Sequence, residues 1–407
     1  MASDIGTKWP MLPLREIALK IQDGTHFSPK MGGHDYRYVT SRNIGAGYLK
    51  LQNVEMISEA EHRKIYGRCD VKYGDLLLTK DGANTGNAAI STFREEVSLL
   101  SSVAFVRCDP RKATEAYLLQ YLLSEVGNRQ ITDAMSGNAI TRLTLSKINA
   151  LTLPVPHVSE QREIAAVLSA VDALVYSLER LIAKKQAIKQ GMMQQLLSGK
   201  TRLPGFNDAW ASERLGDIAA MRSGGTPDSK NLAYYGGGIP WASISDMTSG
   251  GRYLASTEKT LSQRGLDASA AAVYPSDAVL FAMYASIGEC SLAVGSVASS
   301  QAILGITPGK RLSREFLYYI LTFMRPLFRE MGQQGTQSNL NAGMVRRFQI
   351  MLPGSREQKA IVDALSDSDA EIDALHTRLR DTRAIKQGMM QELLTGRIRL
   401  DTAKATV

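Results

Sequence analysis

The chain is poor in the residues on which metal centres and secreted scaffolds depend. Its three cysteines, Cys69, Cys108 and Cys290, are odd in number and far apart. That spacing excludes a disulfide framework and a cysteine-based zinc site, and a reducing cytoplasm is the expected compartment. The five histidines, His26, His34, His62, His157 and His376, lack metal-ligand spacing. No uninterrupted apolar run is long enough to span a bilayer. Met1–Pro10 has no apolar signal core either, so a soluble intracellular chain is expected. Neither sign of charge dominates: 48 Lys and Arg against 40 Asp and Glu leave a net charge of +8. The excess is spread along the chain rather than gathered in a tail, which suits several contacts with a polyanion or simply a basic soluble protein.

The motifs of enzymes are missing as well. A base-modifying aminomethyltransferase needs an Asn/Asp-Pro-Pro-aromatic loop to grip the amino group, and none occurs. Gly82-Ala-Asn-Thr-Gly86 is not opened by a strand–helix–strand unit that would hold a methyl donor. Gly305-Ile-Thr-Pro-Gly309-Lys310-Arg311 has the wrong spacing and last residue for a phosphate-cradling loop. Asp70-Val-Lys72 resembles a nuclease carboxylate–lysine pair only as a chance tripeptide does. An intrinsic catalytic site is therefore not expected.

What the chain does contain is a long repeat. Ala187–Gln194 reads Ala-Ile-Lys-Gln-Gly-Met-Met-Gln, and Ala384–Gln391 reads the same. Around that core Glu160-Gln161 answers Glu357-Gln358, Leu168-Ser169 answers Leu365-Ser366, Asp172-Ala173 answers Asp369-Ala370, and Arg202-Leu203 answers Arg399-Leu400. Trp9…Leu14-Arg-Glu-Ile17 is echoed by Trp210…Leu215-Gly-Asp-Ile218, and Asp23-Gly24-Thr25 by Gly224-Gly225-Thr226. Self-similarity at this distance sets the architecture before any local reading. Two copies are too few for a solenoid and imply a pseudo-twofold molecule. The order is globular domain 1–155, helical region 156–203, globular domain 204–353, helical region 354–400.

The repeated segments are predicted helices. Pro156 and Pro353 stand outside their starts, Ser159 and Ser355 are available as caps, and Gly199 and Gly396 mark the ends. Ile164, Leu168, Val171, Val175, Leu178 and Ile182 step by four and three, a coiled-coil seam. Ile361, Leu365, Ile372, Leu375 and Leu379 repeat it, interrupted at Ser368. The register falters near Lys185 and Thr382, and an apolar face resumes at Ile188 and Met192 or Ile385 and Met389. Ser159 to Ser198 would extend about 60 Å as a helix. Antiparallel pairing into a spacer rod is expected, against the alternative of two helices each docked on its own domain. The globular parts are predicted to be mixed, an α+β class, with strands at Asp75–Thr79, Val103–Arg107, Ala278–Met283 and Ala302–Ile306 and local helices at Ala116–Ser124 and Arg314–Phe323.

The loops between these strands carry groups that hydrogen-bond bases and phosphates. In the first domain the candidates are Thr25, His26 and Lys30; Arg37, Arg42 and Asn43; Lys80, Asn84 and Asn87; and Asn138, Thr141 and Arg142. In the second they are Arg222 and Thr226; Tyr234, Tyr235, Trp241 and Ser243; Tyr284 and Ser286; and Gln334, Gln337 and Asn339. Arginine matches guanine and asparagine or glutamine matches adenine, because each pair aligns two hydrogen bonds. Polar glycine-rich loops are common in any protein; their recurrence at matching places in both halves is what gives the set weight. Trp9 and Trp210 precede an apolar strand and are read as packing residues, whereas Trp241 and Tyr284 stay open between packing and stacking. Lys189, Gln190, Met192 and Met193, with Lys386, Gln387, Met389 and Met390, are candidates for contact with another subunit, since methionine adapts to cores and partner surfaces alike.

These residues resemble a known family, the DNA-specificity (S) subunit of type I restriction–modification enzymes. The resemblance covers almost the whole chain. It rests on Gly224-Gly-Thr-Pro-Asp-Ser-Lys…Tyr234-Tyr-Gly-Gly-Gly-Ile-Pro-Trp-Ala-Ser-Ile-Ser-Asp246, on Asp23-Gly-Thr-His-Phe-Ser-Pro-Lys30 and Gly74-Asp-Leu-Leu-Leu-Thr-Lys-Asp-Gly82, and on the two Lys-Gln-Gly-Met-Met-Gln helices. It implies one target-recognition domain per half of a bipartite double-stranded DNA site, with the helical rod fixing the gap. It also implies two modification subunits supplying S-adenosylmethionine, and restriction subunits using ATP and Mg2+. No cofactor or metal is then expected on this chain. Two departures, Thr25-His26-Phe27 in place of the commoner proline after threonine and Asn84-Thr-Gly86 where the second domain has Ser286-Ile-Gly288, concern which bases are read. The rival readings are a self-contained methyltransferase or nuclease, and a scaffold whose paired domains bind protein or carbohydrate.

Overall fold

The structure is a computed structural model that describes residues 9–135, 142–333 and 339–400. The chain divides into two compact units, Met1–Glu179 with Thr377–Val407, and Arg180–His376. The units are therefore not successive stretches. Each holds one globular domain, the first part of one long helix and the last part of the other.

In the first unit a four-stranded antiparallel sheet runs Ala18–Asp23, Val103–Cys108, Leu76–Thr79, Ala88–Ile90. Its side chains alternate between two cores, as pleating requires. Leu76, Leu78, Ala104 and Val106 enter one core with the helix Glu115–Leu123, while Leu77, Val103 and Phe105 enter another with Val39, Ile57 and Leu99. This two-sided burial explains why Leu76–Leu78 are three successive apolar residues. A second sheet places Met31–Val39 between Glu55–Ile57, antiparallel, and Ser98–Leu99, parallel.

The second unit repeats the plan. Its larger sheet runs Ala219–Ser223, Ile303–Pro308, Val279–Ala282, Cys290–Ala293, Tyr253–Leu254, and its smaller one places Tyr235–Ala242 between Lys259–Leu261 and Ala298–Ser299. Val279 and Phe281 face one core, and Leu280 and Ala282 the other. The expected strands and local helices are present within a residue or two. The sequence pairing of the glycine turns needs a one-residue correction. Gly24 N bonds Val103 O and Gly224 N bonds Ile303 O, so Asp23 corresponds to Ser223 and Thr25 to Gly225. A Cβ on Gly24 would lie 2.0 Å from Leu99 O, and one on Gly224 2.3 Å from Ser299 O. These glycines are required by close backbone packing within the domain.

The long helices are Val158–Leu196 and Ser355–Leu393, each 39 residues. The proposed serine caps are corrected. Ser159 lies inside its helix, with its hydroxyl 2.8 Å from His157 Nδ1, and Ser355 is already the first helical residue of the other. The ends follow expectation: Gly199 and Gly396 have φ of 69° and 72°, the left-handed geometry of a helix terminus.

Pairing is antiparallel within each unit. In the first, Lys386 meets Asp172 at 2.6 Å and Arg383 meets Glu179 at 2.5 Å; in the second, Lys185 meets Glu371 at 2.6 Å and Lys189 pairs with Asp369. Ile164, Leu168, Leu178 and Ile182 on one helix, and Ile361, Leu365, Ile372 and Leu379 on the other, are buried. Of the apolar face expected to resume beyond Lys185 and Thr382, Ile188 and Ile385 are 46% and 61% exposed, whereas Met192 and Met389 pack partly against the cores. Antiparallel packing has a further consequence. Of the two Lys-Gln-Gly-Met-Met runs, the first places Met193 in the core of the second unit and the other places Met390 in that of the first. No helix among the described residues is long and apolar enough to cross a membrane.

Candidate functional site

The repeated polar residues turn out to be clamps. Gln161 is fully buried: its Oε1 accepts from Thr114 N at 2.9 Å, and its Nε2 donates to Lys112 O and Pro156 O. Gln358 makes the same three bonds, with Ser313 N, Arg311 O and Pro353 O. Beside them Glu160 takes a two-pronged grip from Arg399, at 2.8 and 2.7 Å, and Glu357 the same from Arg202, at 2.5 and 2.6 Å. Trp210 Nε1 adds a bond of 2.9 Å to Glu357. Each helix start is thus tied to its own domain, and the tail following the other helix is fastened to that same point. Both Trp9 and Trp210 pack beside these arginines, in line with the packing reading.

This placement bears on the proposed subunit-contact residues. Lys189 and Lys386 are engaged by Asp369 and Asp172. Met193 and Met390 are buried, and Met192 and Met389 pack partly against the same cores. Only Gln190 and Gln387 of the set are exposed. The methionine runs therefore fill cores of this chain.

The candidate DNA-facing residues separate in the same way. In the first domain Asn43 is buried; its side chain accepts from Thr40 N at 2.9 Å and donates to Lys50 O, closing a capping box. Thr25 is buried and its hydroxyl accepts from Phe27 N. Asn87 donates to Ile44 O. Lys80 is buried against Asp23, and Arg37 pairs with Glu95. Lys30, Arg42, Asn84 and Arg142 are exposed, as is His26, which lies 3.2 Å from Asp23. In the second domain Trp241 is buried and donates to Gly225 O at 3.0 Å. Ser243 bonds Asp246 at 2.6 Å as a helix cap, Tyr235 donates to Pro227 O, and Thr226 to Gln301. Tyr284 packs against the core. Arg222 and Asn339 are exposed, and Tyr234 and Ser286 partly so. Asn138, Thr141, Gln334 and Gln337 lie outside the described residues.

Backbone hydrogen bonds set the two domains in register. Gly86 N to Thr79 O matches Gly288 N to Ala282 O, and Asn87 N to Asn84 O matches Glu289 N to Ser286 O. Asn84 and Ser286 thus occupy the same place in the same turn, with φ of 95° and 78° at its glycines Gly86 and Gly288. Tyr38 sits opposite Glu55 and beside Ser98, as Trp241 sits opposite Lys259 and beside Ala298.

A groove opens at this place in each domain. In the first it is bounded by Ser28, Tyr38, Ser41, Arg42, Glu55 and Asp81; in the second by Thr226, Tyr235, Trp241, Glu258 and Lys259. Tyr38 is 4% exposed, and its hydroxyl has no hydrogen-bond partner among the described residues. Burial, then the nearby Glu55 carboxylate, pushes its pKa up to about 12, so it remains a neutral donor. Glu55 and Lys259 were missed from the sequence. Both lie in short strands without loop character, and only the hairpin register brings them to the groove. Across corresponding positions the first domain offers a carboxylate and the second an ammonium. No group of three or more His, Cys, Asp or Glu side chains among the described residues could hold a metal ion.

The family model described as type I restriction modification DNA specificity domain matches residues 9–190 and 207–382. A protein described as the type I restriction enzyme MjaX specificity subunit of Methanocaldococcus jannaschii is 24% identical over 98% of this chain and 96% of its own length. The MjaVIII specificity subunit of the same organism is 23% identical over 88% and 84%. Among solved structures, the type I restriction–modification S subunit from M. genitalium has a TM-score of 0.61 at 14% identity, covering 97% of this chain and 98% of that one. A chain from a structure describing complex assembly and conformational transition of the type I R-M system has a TM-score of 0.60 at 19% identity, covering 96% and 98%. At these identities the structural likeness speaks for the fold.

Proposed function

The chain belongs to the type I restriction–modification DNA-specificity family, and on that premise we propose that it reads a bipartite double-stranded DNA target, one half-site per domain. The family is a recognition subunit and not a catalytic one. The observation that carries the bipartite reading is the pair of grooves at corresponding places, lined by different chemistry. Glu55 suits a cytosine or adenine amino group, and Lys259 suits guanine acceptors or a phosphate. A single small module discriminates too weakly against a genome of competing sites, whereas two linked modules multiply their selectivity. The antiparallel helices would then set the gap between half-sites. Modification subunits bringing S-adenosylmethionine, and restriction subunits bringing ATP and Mg2+, would dock on this chain, which binds none of these itself.

The test is selection from random duplexes by the chain together with its modification subunits. A split motif with a constant gap is expected. An unsplit motif would end the bipartite reading. Absence of enrichment would favour a scaffold for protein or carbohydrate, and methyl transfer by the chain alone would favour the self-contained enzyme.

A further inference from the structure

The first domain contains a line of alternating charges. It starts at Asp23, 2% exposed, whose carboxylate lies 3.2 Å from Lys80 Nζ. Lys80 is also buried, at 7%, and its ammonium reaches Asp81 Oδ2 at 3.6 Å. The other oxygen of Asp81 accepts from Arg142 Nε at 3.1 Å. Arg142 itself has a side chain 62% exposed, beside the groove that Asp81 lines.

The second domain has none of this. Lys80 N bonds Ser102 O as Met283 N bonds Ala302 O, and Leu143 N bonds Lys80 O as Leu340 N bonds Met283 O. The counterparts of Asp23, Lys80, Asp81 and Arg142 are therefore Ser223, Met283, Tyr284 and Asn339, all uncharged. The common fold stands without the charges, so their presence in one domain calls for a role specific to it.

A buried ammonium needs compensating charge, and here two carboxylates supply it. That fixes Asp81 from the interior side. An exposed Arg–Asp pair alone is weak and mobile; one whose carboxylate is already anchored gives the guanidinium a direction. With Nε committed to Asp81, the two Nη groups remain as a planar fork, the geometry that meets O6 and N7 of guanine. We propose that Asp81, held by the buried Asp23–Lys80 pair, is a positioning residue that aims Arg142 at a guanine in the half-site read by the first domain. The proposal rests on the DNA-recognition reading above.

The experiment measures specific and random-duplex affinity for the chain assembled with its modification subunits, and re-selects the motif for each variant. Asp81→Ala is expected to lower the specific-to-random ratio by about tenfold or more. Preference should relax at one guanine in one half-site only. Arg142→Ala should relax the same position, and the double variant should lose no more than Arg142→Ala alone, because the two act through one contact. Asp81→Glu should restore part of the preference. Unchanged discrimination in Asp81→Ala, equal damage to both half-sites, or additive losses would overturn the assignment. Should Asp81→Ala fail to fold, Asp81→Asn, with its melting temperature measured alongside, carries the same comparison. Failure of the unaltered complex to select any motif would instead remove the DNA-recognition reading, and this proposal with it.

Discussion

Gln161 and Gln358 each make three hydrogen bonds from one buried side-chain amide. Replacing either with alanine strands the buried Pro156 O or Pro353 O and unties Lys112 O and Thr114 N, or Arg311 O and Ser313 N. The expected cost is about 3 kcal/mol, read as a fall in the urea midpoint at unchanged m-value; a loss below about 1 kcal/mol would contradict the clamp. Neighbouring residues in one loop can differ as sharply. Asn43→Ala should destabilise the first domain by about 1–2 kcal/mol through loss of the capping box. Arg42→Ala, exposed on the groove, should leave the melting temperature alone and weaken DNA binding in gel-shift titrations. Identity between the halves made Glu160, Gln161, Asp172, Lys189 and Arg202 visible in the sequence. Yet identity marks what two domains share, which is their attachment to the helices. Residues that distinguish two targets must differ, so Glu55 and Lys259 left no trace in the repeat. A side chain drawn from the loops for its hydrogen-bonding groups can equally have spent them internally, as Asn43, Lys80 and Ser243 have.

The corresponding caps of the two domains show how one element is built with two chemistries. Thr40 and Asn43 close the turn Ser41–Asn43, whereas Ser243 and Asp246 close the helix Ile244–Gly250. Burial pushes the Asp246 carboxyl up, but hydrogen bonds from Ser243 and the Glu258 amide outweigh it and hold the pKa below the ordinary value. A lowered folded-state pKa contributes stability above the unfolded value, near 4 for Asp, and that contribution is lost as pH falls through the folded value. Asparagine does not titrate, so the first domain's cap has no such dependence. Asp246→Asn should therefore flatten the loss of urea stability between pH 7 and pH 3, and an unchanged pH profile would refute the assignment. Elements of this size were readable from sequence: Arg314–Phe323 has the expected bounds, and the seams bury Ile164, Leu168, Leu178 and Ile182 with Ile361, Leu365, Ile372 and Leu379, while Val171, Val175 and Leu375 are half-buried. The failures came at helix starts and at Ile188 and Ile385. Local pattern could not reveal that glutamines anchor the starts from the side, or that Ile188 and Ile385 turn to solvent.

At the scale of the molecule the ion pairs define a register that both helices must keep. In the first unit Asp172 meets Lys386 and Glu179 meets Arg383; in the second Lys185 meets Glu371 and Lys189 meets Asp369. Each pair adds little stability, but the buried seam beneath them and the Met193 and Met390 anchors resist slippage. Lengthening only the first helix between Leu181 and Ile182 would preserve the register in one unit while violating it in the other. Matching insertions of one helical turn, there and between His376 and Thr377, leave every pair within each unit intact. Four residues add about 6 Å, somewhat under two base-pair steps of about 3.4 Å. If the helix pair sets the gap, motif selection with the doubly extended chain should return the same half-sites with one or two more base pairs between them. The singly extended chain should melt earlier and select poorly. A doubly extended chain that folds, binds and keeps the original gap would show that some other part of the assembly measures the distance.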